Sequence, residues 1–499
     1  MEETLGNKSG ILYLKSKFFL YRLVTYFSFL LFPIWIQKTT ELNKIYLMLL
    51  MLLYIAFMGA QWFLLGKEID HRLKIYFRVN SSIDRIIYRL ILGMSFAIFY
   101  FNLLALLPYK WSYNSFWFTW AVLGLFYSWP SRGKIIQESV SSNFSEYKHL
   151  DSFEKTVLFL VILIFIISFP GIPKLDNYDA LKLYFDPDER ISNFFWSFLS
   201  MNYLPFRRYP ELFRVAMGMH FYFVVFGLFL LTFYGLLRYF LCRRLGLLGV
   251  FALLSSWSFS KFIFNNYPAC IQASIGIFFV WSMMWAIKSA SYRSGLFFGM
   301  IGFLLTIFDA KNLSVYAVGL GILLIQFLNE KTFWFRKQFL KYNIIGIVLI
   351  ILVLVFKDFA TVATYKGFSL FPEVLDILQR KAFFTLSWIG LPLAIAKILA
   401  DQKVIFKSFH IPREKLIQFI LCILILLASS KFLGPSIGGT LALMAAVTVF
   451  SLIPLELVFQ TMARVRSQRN IIYLLYILIC LLDSHFEGRV KIFIKFIDS

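Results

Sequence analysis

The residues best suited to chemistry lie between positions 173 and 213, where acidic side chains precede a group of arginines. The chain has 27 acidic residues among 499, and five of them fall within fourteen positions: Asp176, Asp179, Asp186, Asp188 and Glu189. The arginines that follow are Arg190, Arg207 and Arg208. One carboxylate can take the proton of an attacking hydroxyl, another can hold the acceptor or a divalent cation, and arginine can stabilise a departing phosphate. The alternative is a solvated connector without chemistry.

Asp176 and Asp179 are the best candidates for a catalytic carboxylate. They are three residues apart, which places them on one face of a helix, and they come a few residues after a predicted span at 154–172. In the sequence FDPDER, Pro187 breaks a helix and Asp188 could instead cap the next one. We therefore predict catalysis by Asp176 or Asp179. The later residues are predicted to bind substrate, with a structural role as the alternative: Asp188, Glu189, Arg190, Arg207 and Arg208.

The elements that must position these residues are membrane helices. Apolar residues make up 60% of the chain, and the mean hydropathy is +0.73. The apolar runs can cross a hydrocarbon core of about 30 Å at about 1.5 Å per residue. No polar interval exceeds roughly forty residues, which is short for an independent globular domain. The prediction is an all-α, polytopic integral membrane protein with about 13–15 transmembrane helices and a partly helical extracytoplasmic loop. The predicted spans lie near 18–36, 44–65, 86–107, 114–129, 154–172, 216–239, 245–264, 268–287, 294–309, 312–329, 343–357, 382–400, 415–430, 436–458 and 470–483.

The net charge of +23 comes from basic turns between the spans. Because lysine and arginine favour the cytoplasmic side, we assign the segments 66–85 and 130–153 to the inside and the acidic segment to the outside. No basic stripe with nucleic-acid geometry stands apart from these turns, so we expect no nucleic-acid partner. The four cysteines have no paired spacing and predict neither a disulfide framework nor a zinc site. No cofactor is indicated beyond a divalent cation that the carboxylates could hold.

The chain divides into two predicted blocks. Residues 1–153 form a block of four spans, and residues 154–499 form a second block that contains the outer loop 173–213 and a second outer loop at 357–381. The second outer loop is rich in basic residues on the side where they are disfavoured. This indicates either binding of an anionic group, such as a lipid phosphate or pyrophosphate, or only a loop that tolerates charge.

Basic residues near the two ends of the chain need separate interpretation. Arg22 and Arg89 lie inside early spans, close enough to the inner edge to snorkel toward water. An odd number of spans would put the tail with Arg489, Lys491 and Lys495 outside. Otherwise one span is miscounted, or the tail lies along the membrane interface.

Beyond the acidic segment, the chain follows a regular order of spans and turns. The run from Arg243 to Val318 contains a serine-rich segment at Ser255–Ser260 and a polar turn at Asp309–Asn312. With the acidic outer loop before it, the region 154–330 resembles the type-C (GT-C fold) glycosyltransferases, polytopic enzymes that take a sugar from a polyprenyl-phosphate donor. The resemblance implies that Asp179 or Asp176 is the outer-loop acid and that Lys311 lies on the phosphate side.

The sequence thus predicts an integral-membrane glycosyltransferase that moves a sugar from a polyprenyl-phosphate donor to an extracytoplasmic acceptor. Lys311 and the loop arginines would hold the phosphate. Two alternatives remain open: a permease or flippase for an anionic lipid-linked head group, and a noncatalytic membrane scaffold. We expect a multi-pass protein of the bacterial inner membrane whose partners are the membrane and the sugar lipid, and nothing in the sequence identifies a partner protein.

Overall fold

A computed structural model describes about half of the chain. The described residues are 20–36, 44–73, 82–105, 118–124, 150–169, 219–257, 259–260, 273–281, 299–302, 304–306, 310–327, 348, 374–375, 381–400, 411–434, 436–462, 466–482 and 484–498. Within these ranges the regular structure is helical, and no strand occurs.

The helices are numbered in chain order. They are α1 (Leu20–Ile36), α2 (Lys44–Leu73), α3 (Ser82–Ala105), α4 (118–124), α5 (Ser152–Ser168), α6 (Gly227–Phe240, preceded by the π-helical His220–Phe226), α7 (Arg243–Ser255), α8 (273–281), α9 (Leu313–Phe327), α10 (Ala382–Thr385), α11 (Ser387–Leu399), α12 (Arg413–Leu433), α13 (Ile437–Met462), α14 (Arg466–Leu482) and α15 (Phe486–Asp498). Most begin or end within a few residues of a predicted span.

Four described helical segments are long and apolar enough to cross a membrane. They are Tyr46–Asp70, Tyr222–Phe240, Ala382–Leu399 and Arg413–Leu433, and the bent pair of α14 and α15 gives a fifth if it counts as one span. The sequence-based expectation of a helical membrane protein is confirmed at this level, whereas the count of about 13–15 spans stays a prediction.

The chain separates into two compact units. Unit 1 comprises 1–139 and 175–224, and unit 2 comprises 140–174 and 225–499. The predicted division at residue 153 was based on function, and it stays a prediction.

In unit 1, α2 and α3 pack at a crossing of two glycines. A Cβ atom added at Gly66 would collide with the carbonyl oxygen of Arg89, and one added at Gly93 would collide with that of Trp62. The two backbones therefore touch, which is how small residues allow close packing of membrane helices.

Ion pairs, rather than snorkelling, stabilise Arg22 and Arg89 within their apolar helices. Arg89 is buried and lies 3.4 Å from Asp70, while Arg22 lies 3.8 Å from the buried Glu68. Both carboxylates belong to α2, which extends to Leu73, eight residues beyond the predicted span end at 65. The predicted loop at 66–85 is thus partly helical because its charges are paired on a continuing helix.

In unit 2, α5, α7 and α14 run in the same direction. Arg243 at the start of α7 donates two hydrogen bonds of 2.9 Å to Glu154 in the first turn of α5, and Arg244 donates to Asp151 and to Tyr473 in the middle of α14. Their opposite ends meet at Arg489, as described below. We call the two ends of this group the Asp151 end and the Ser168 end.

The first turn of α5 is fixed by its own capping. The Asp151 side chain accepts from the Glu154 amide at 2.7 Å, and the Glu154 side chain accepts from the Asp151 amide at 3.0 Å, which forms a capping box. The same carboxylates bind the two arginines of α7, and the hydrogen bond to Glu154 raises the pKa of Arg243 above its ordinary value. The capping box therefore also aligns the starts of α5 and α7.

Candidate functional site

Most of the predicted site residues lie outside the described residues. These are Asp176, Asp179, Asp188, Glu189, Arg190, Arg207 and Arg208, and their roles stay predictions. The predicted outer loop at 357–381 is described only at 374–375 and 381. Lys311 is the predicted site residue that the structure places.

Lys311 lies in a short 3-10 turn, Ala310–Asn312, that leads into α9. Its carbonyl oxygen accepts a 2.9 Å hydrogen bond from the Ser314 hydroxyl, and the buried Asn312 donates a 3.1 Å bond to the carbonyl of Leu305. Ser429, near the end of α12, donates to the Ser314 carbonyl at 3.4 Å. The turn that carries Lys311 is therefore held against the last turns of α12.

A buried arginine occupies the Ser168 end. Arg489 is 1% exposed, and its guanidinium donates to the Ser484 carbonyl at 3.0 Å, to the Ser255 carbonyl at 3.1 Å and to the Ser260 hydroxyl at 3.2 Å. It also donates to the Ser168 hydroxyl. We call Arg489 and these four serines the arginine cluster.

The arginine cluster joins the carboxyl ends of three helices. Ser168 is the last residue of α5, Ser255 is the last residue of α7, and Ser484 follows the end of α14. A helix carries about half a negative charge at its carboxyl end, so three such ends form a favourable environment for a cation. The Trp257 ring, 5.2 Å from the guanidinium carbon, adds a cation–π contact. These contacts account for how a charged side chain is stable in a buried position.

Lys311 and the arginine cluster lie toward the same end of unit 2. Lys415, near the start of α12, donates a 2.7 Å hydrogen bond to the carbonyl of Tyr239, which lies next to the turn into α7. The start of α12 is therefore at the Asp151 end, and its last turns, which contact the Lys311 turn, point toward the Ser168 end. The two cations contact different helices, so the structure shows a shared end rather than a direct contact.

An apolar groove of about 240 Å³ opens between α11, α12 and α13. Its lining residues are Val374, Leu375, Ser387, Trp388, Leu391, Ile423, Leu427, Leu443, Ala446, Val447 and Phe450. The Ser387 hydroxyl donates to the Phe384 carbonyl, so the lining offers mainly hydrocarbon. Leu427 and Ser429 are two residues apart on α12, so the groove and the Lys311 turn lie at a similar depth along this helix but on different faces of it. A groove of this composition can hold an apolar chain.

The described residues contain no group of three histidine, cysteine, aspartate or glutamate side chains that could hold a metal ion. The divalent cation expected at the acidic segment stays a prediction, because that segment lies outside the described residues. No family model, curated protein or solved structure matches this chain.

Sequence reasoning missed several buried polar residues. It treated Arg489 only as part of a basic tail, although its partners Ser168 and Ser255 lie 321 and 234 positions earlier. It also gave no role to Lys397 in α11 or Glu456 in α13, which are 4% and 2% exposed. An ionisable residue inside an apolar run is the signal that could have found Lys397 and Glu456. No local pattern identifies the partners of Arg489.

Proposed function

We propose that this chain is an integral-membrane glycosyltransferase of the GT-C type, located in a bacterial inner membrane and using a polyprenyl-phosphate sugar donor. The observation that supports it best is that an apolar groove and the Lys311 turn both lie along the last turns of α12, at a similar depth but on different faces of that helix. A groove for hydrocarbon and a cation at a similar depth suit a ligand with a long apolar tail and a phosphate.

The proposed reaction is a single displacement. Asp179 or Asp176 accepts the proton of the acceptor hydroxyl, and the oxygen of that hydroxyl forms a bond to the anomeric carbon of the sugar. The bond from that carbon to the phosphate oxygen breaks, and the polyprenyl phosphate leaves with the electron pair. Lys311 and the loop arginines stabilise the negative charge on the phosphate, and the configuration at the sugar carbon inverts.

A permease for an anionic lipid-linked head group is the second candidate. It is favoured by the buried charged side chains Lys397 and Glu456, which lie within two packed apolar helices. Charges inside membrane segments are costly and tend to mark ligand or ion pathways. A noncatalytic scaffold is the third alternative.

The deciding experiment is lipid mass spectrometry of cells with and without the protein. The glycosyltransferase proposal expects a polyprenyl-phosphate sugar to accumulate without the protein, and expects the purified protein to consume that lipid in detergent and release polyprenyl phosphate. Asp176→Asn and Asp179→Asn are then tested singly, and one of them should lose turnover by roughly 10²–10⁴-fold while the donor still binds. Normal turnover in both variants would refute the catalytic assignment. Movement of the intact lipid across vesicle bilayers, without chemical change, would favour the permease.

A further inference from the structure

A second apolar space lies inside unit 2, against the face of α12 that packs on α9. It is a cavity of about 60 Å³ bounded by α6, α8, α9, α12 and α13. The residues that line it from α12 and α9 are Phe419, Cys422, Ile423, Leu426, Val315 and Val318. Apart from the thiol of Cys422, the lining side chains are hydrocarbon. The cavity therefore offers a space that suits an apolar chain.

The cavity lies on the same face of α12 as the Lys311 turn. Cys422, Leu426 and Ser429 follow one another at intervals of four and three residues, so they share one face of the helix. Ser429 is the residue that contacts the start of α9. Val315, which lines the cavity, follows Lys311 by four residues, or about 6 Å at 1.5 Å per residue. The cavity therefore begins about one helical turn from the Lys311 turn, toward the middle of α9.

The cavity and the apolar groove meet at a seam between α12 and α13. Ile423 on α12 and Ala446 on α13 line both spaces. On α12, Leu427 lines the groove and Cys422 lines the cavity, so Ile423 lies between the two faces. Among the described helices, α12 packs chiefly against α9 and α13 chiefly against α11. The seam is therefore the boundary between the two spaces, with the small Ala446 on one side of it and Ile423 on the other.

The groove and the cavity have complementary properties. In the candidate span Ala382–Leu399, the groove residues Trp388 and Leu391 are 59% and 39% exposed, so a lipid chain can enter the groove from the bilayer. The groove is on a different face of α12 from the Lys311 turn, whereas the cavity is on the same face. The cavity alone is smaller than the about 150 Å³ that admits benzene. Joined at the seam, the two spaces give one apolar path from the bilayer to the Lys311 turn.

We propose that the tail of the lipid donor follows this path. The part nearest the phosphate occupies the cavity, the chain crosses between α12 and α13 over Ala446, and the next part lies in the groove. The Lys311 turn supplies a positive charge at the end of the path where the phosphate must lie. Ile423 has to shift to admit the chain, so its size determines which tails enter. The inference rests on the proposed function for the class of ligand, a phosphate on a hydrocarbon chain, but it does not require sugar transfer.

The test is photocrosslinking of the full chain in lipid nanodiscs with two polyprenyl phosphates. One carries a diazirine in the isoprene unit next to the phosphate, and the other carries it a few units further along the tail. Mass spectrometry then identifies the labelled peptides. We expect the first probe to label α9 and α12 at Val315 and Cys422, and the second to label α11 at Trp388 and Leu391. Labelling of α11 by the first probe would place the whole tail outside the cavity, and labelling of neither set would place it elsewhere. Either result overturns the inference.

Variants at the seam test the crossing itself. Ala446→Phe fills the seam, so the first probe should lose most of its labelling of α9. The same change at the exposed Ala428 of α12 is the matched control and should leave that labelling intact. Ile423→Ala widens the seam and should raise the labelling of α9 several-fold, which keeps the test valid if Ala446→Phe does not fold. Unchanged labelling in the folded seam variants would show that the chain does not pass between α12 and α13.

The same experiments separate this inference from the proposed function. Crosslinks at the expected positions, in a protein that consumes no sugar lipid, would refute glycosyl transfer and leave the lipid path standing. Sugar transfer by a protein whose cavity residues are never labelled would refute the path and leave the glycosyltransferase standing.

Discussion

At the scale of single residues, the buried Arg489 makes four side-chain hydrogen bonds at the Ser168 end. Its guanidinium satisfies two backbone carbonyls and two hydroxyls that water does not reach. A buried acceptor that loses its donor costs about 1–3 kcal/mol. The stability of the Ser168 end should therefore be sensitive to this one side chain.

Arg489→Ala is expected to destabilise the protein by about 3–5 kcal/mol, because several buried acceptors lose their donor at once. Arg489→Lys should recover only part of this, since an ammonium has three donors and no planar fork. Thermal unfolding in detergent measures both. Lys491→Ala is the control from the same helix, because its exposed ion pair should contribute less than about 1 kcal/mol. Equal losses in Arg489→Ala and Lys491→Ala would contradict the role of the cluster.

The apolar groove makes a second prediction at this scale. Leu427→Trp fills the groove and should raise the KM for the lipid donor, with a smaller effect on kcat, because it removes tail binding rather than chemistry. Leu424→Trp, three residues earlier on the same helix and 54% exposed, is the matched control and should leave KM unchanged. The measurement is steady-state kinetics with donors of long and short tails. A similar KM change in both variants would exclude the groove as the tail site.

At the scale of elements, helix positions follow from hydropathy, whereas helix ends depend on partners. The predicted spans near 18–36, 382–400 and 415–430 match α1, the pair α10–α11, and α12, because long apolar runs need few tertiary contacts to be recognised. The end of α2 was predicted too early because the basic residues of 66–85 indicated a loop. That segment also contains Glu68 and Asp70. Their pairing with Arg22 and Arg89 makes them part of the helix, and such long-range pairs leave no mark in local sequence.

The crossing of α2 and α3 gives a prediction for helix packing. Gly66→Ala should destabilise unit 1 by about 1–3 kcal/mol, because the new methyl group meets the Arg89 carbonyl and the two backbones must separate. Gly59→Ala on the same helix is the control, since nothing lies within 4 Å of its Cβ position. That substitution should be neutral or slightly stabilising through helix propensity. Proteolysis and thermal unfolding of both variants compare the effects, and equal stability would rule out the close crossing.

At the scale of the whole molecule, the parallel arrangement of α5, α7 and α14 fixes which residues share a side of the membrane. Lys155 lies at the Asp151 end and Glu487 at the Ser168 end, and both are exposed. In a background without native cysteines, Lys155→Cys and Glu487→Cys should react with a membrane-impermeant maleimide from opposite sides. The positive-inside rule predicts that Lys155→Cys reacts from the cytoplasm. Labelling of both positions from one side would contradict the arrangement.

For the whole molecule, the sequence identified the structural class, whereas the function stays a prediction. Composition and hydropathy identify a helical membrane protein, and the described helices agree. The Lys311 turn and the arginine cluster are less accessible to prediction, because their contacts join segments more than a hundred residues apart. Only the acidic segment and Lys311 have a recognisable local pattern. The catalytic role of the carboxylates in that segment stays a prediction.

The arginine cluster also sets an order of events during biosynthesis. Ser168 is synthesised 321 residues before Arg489, and a ribosome adds about 5–20 residues per second, so this hydroxyl waits roughly 15–60 s for its partner. During that interval the ends of α5 and α7 are inserted with polar groups that the finished protein encloses. Membrane chaperones and quality-control proteases therefore have a window in which to bind this end, and a nascent chain interrupted before α15 should be degraded.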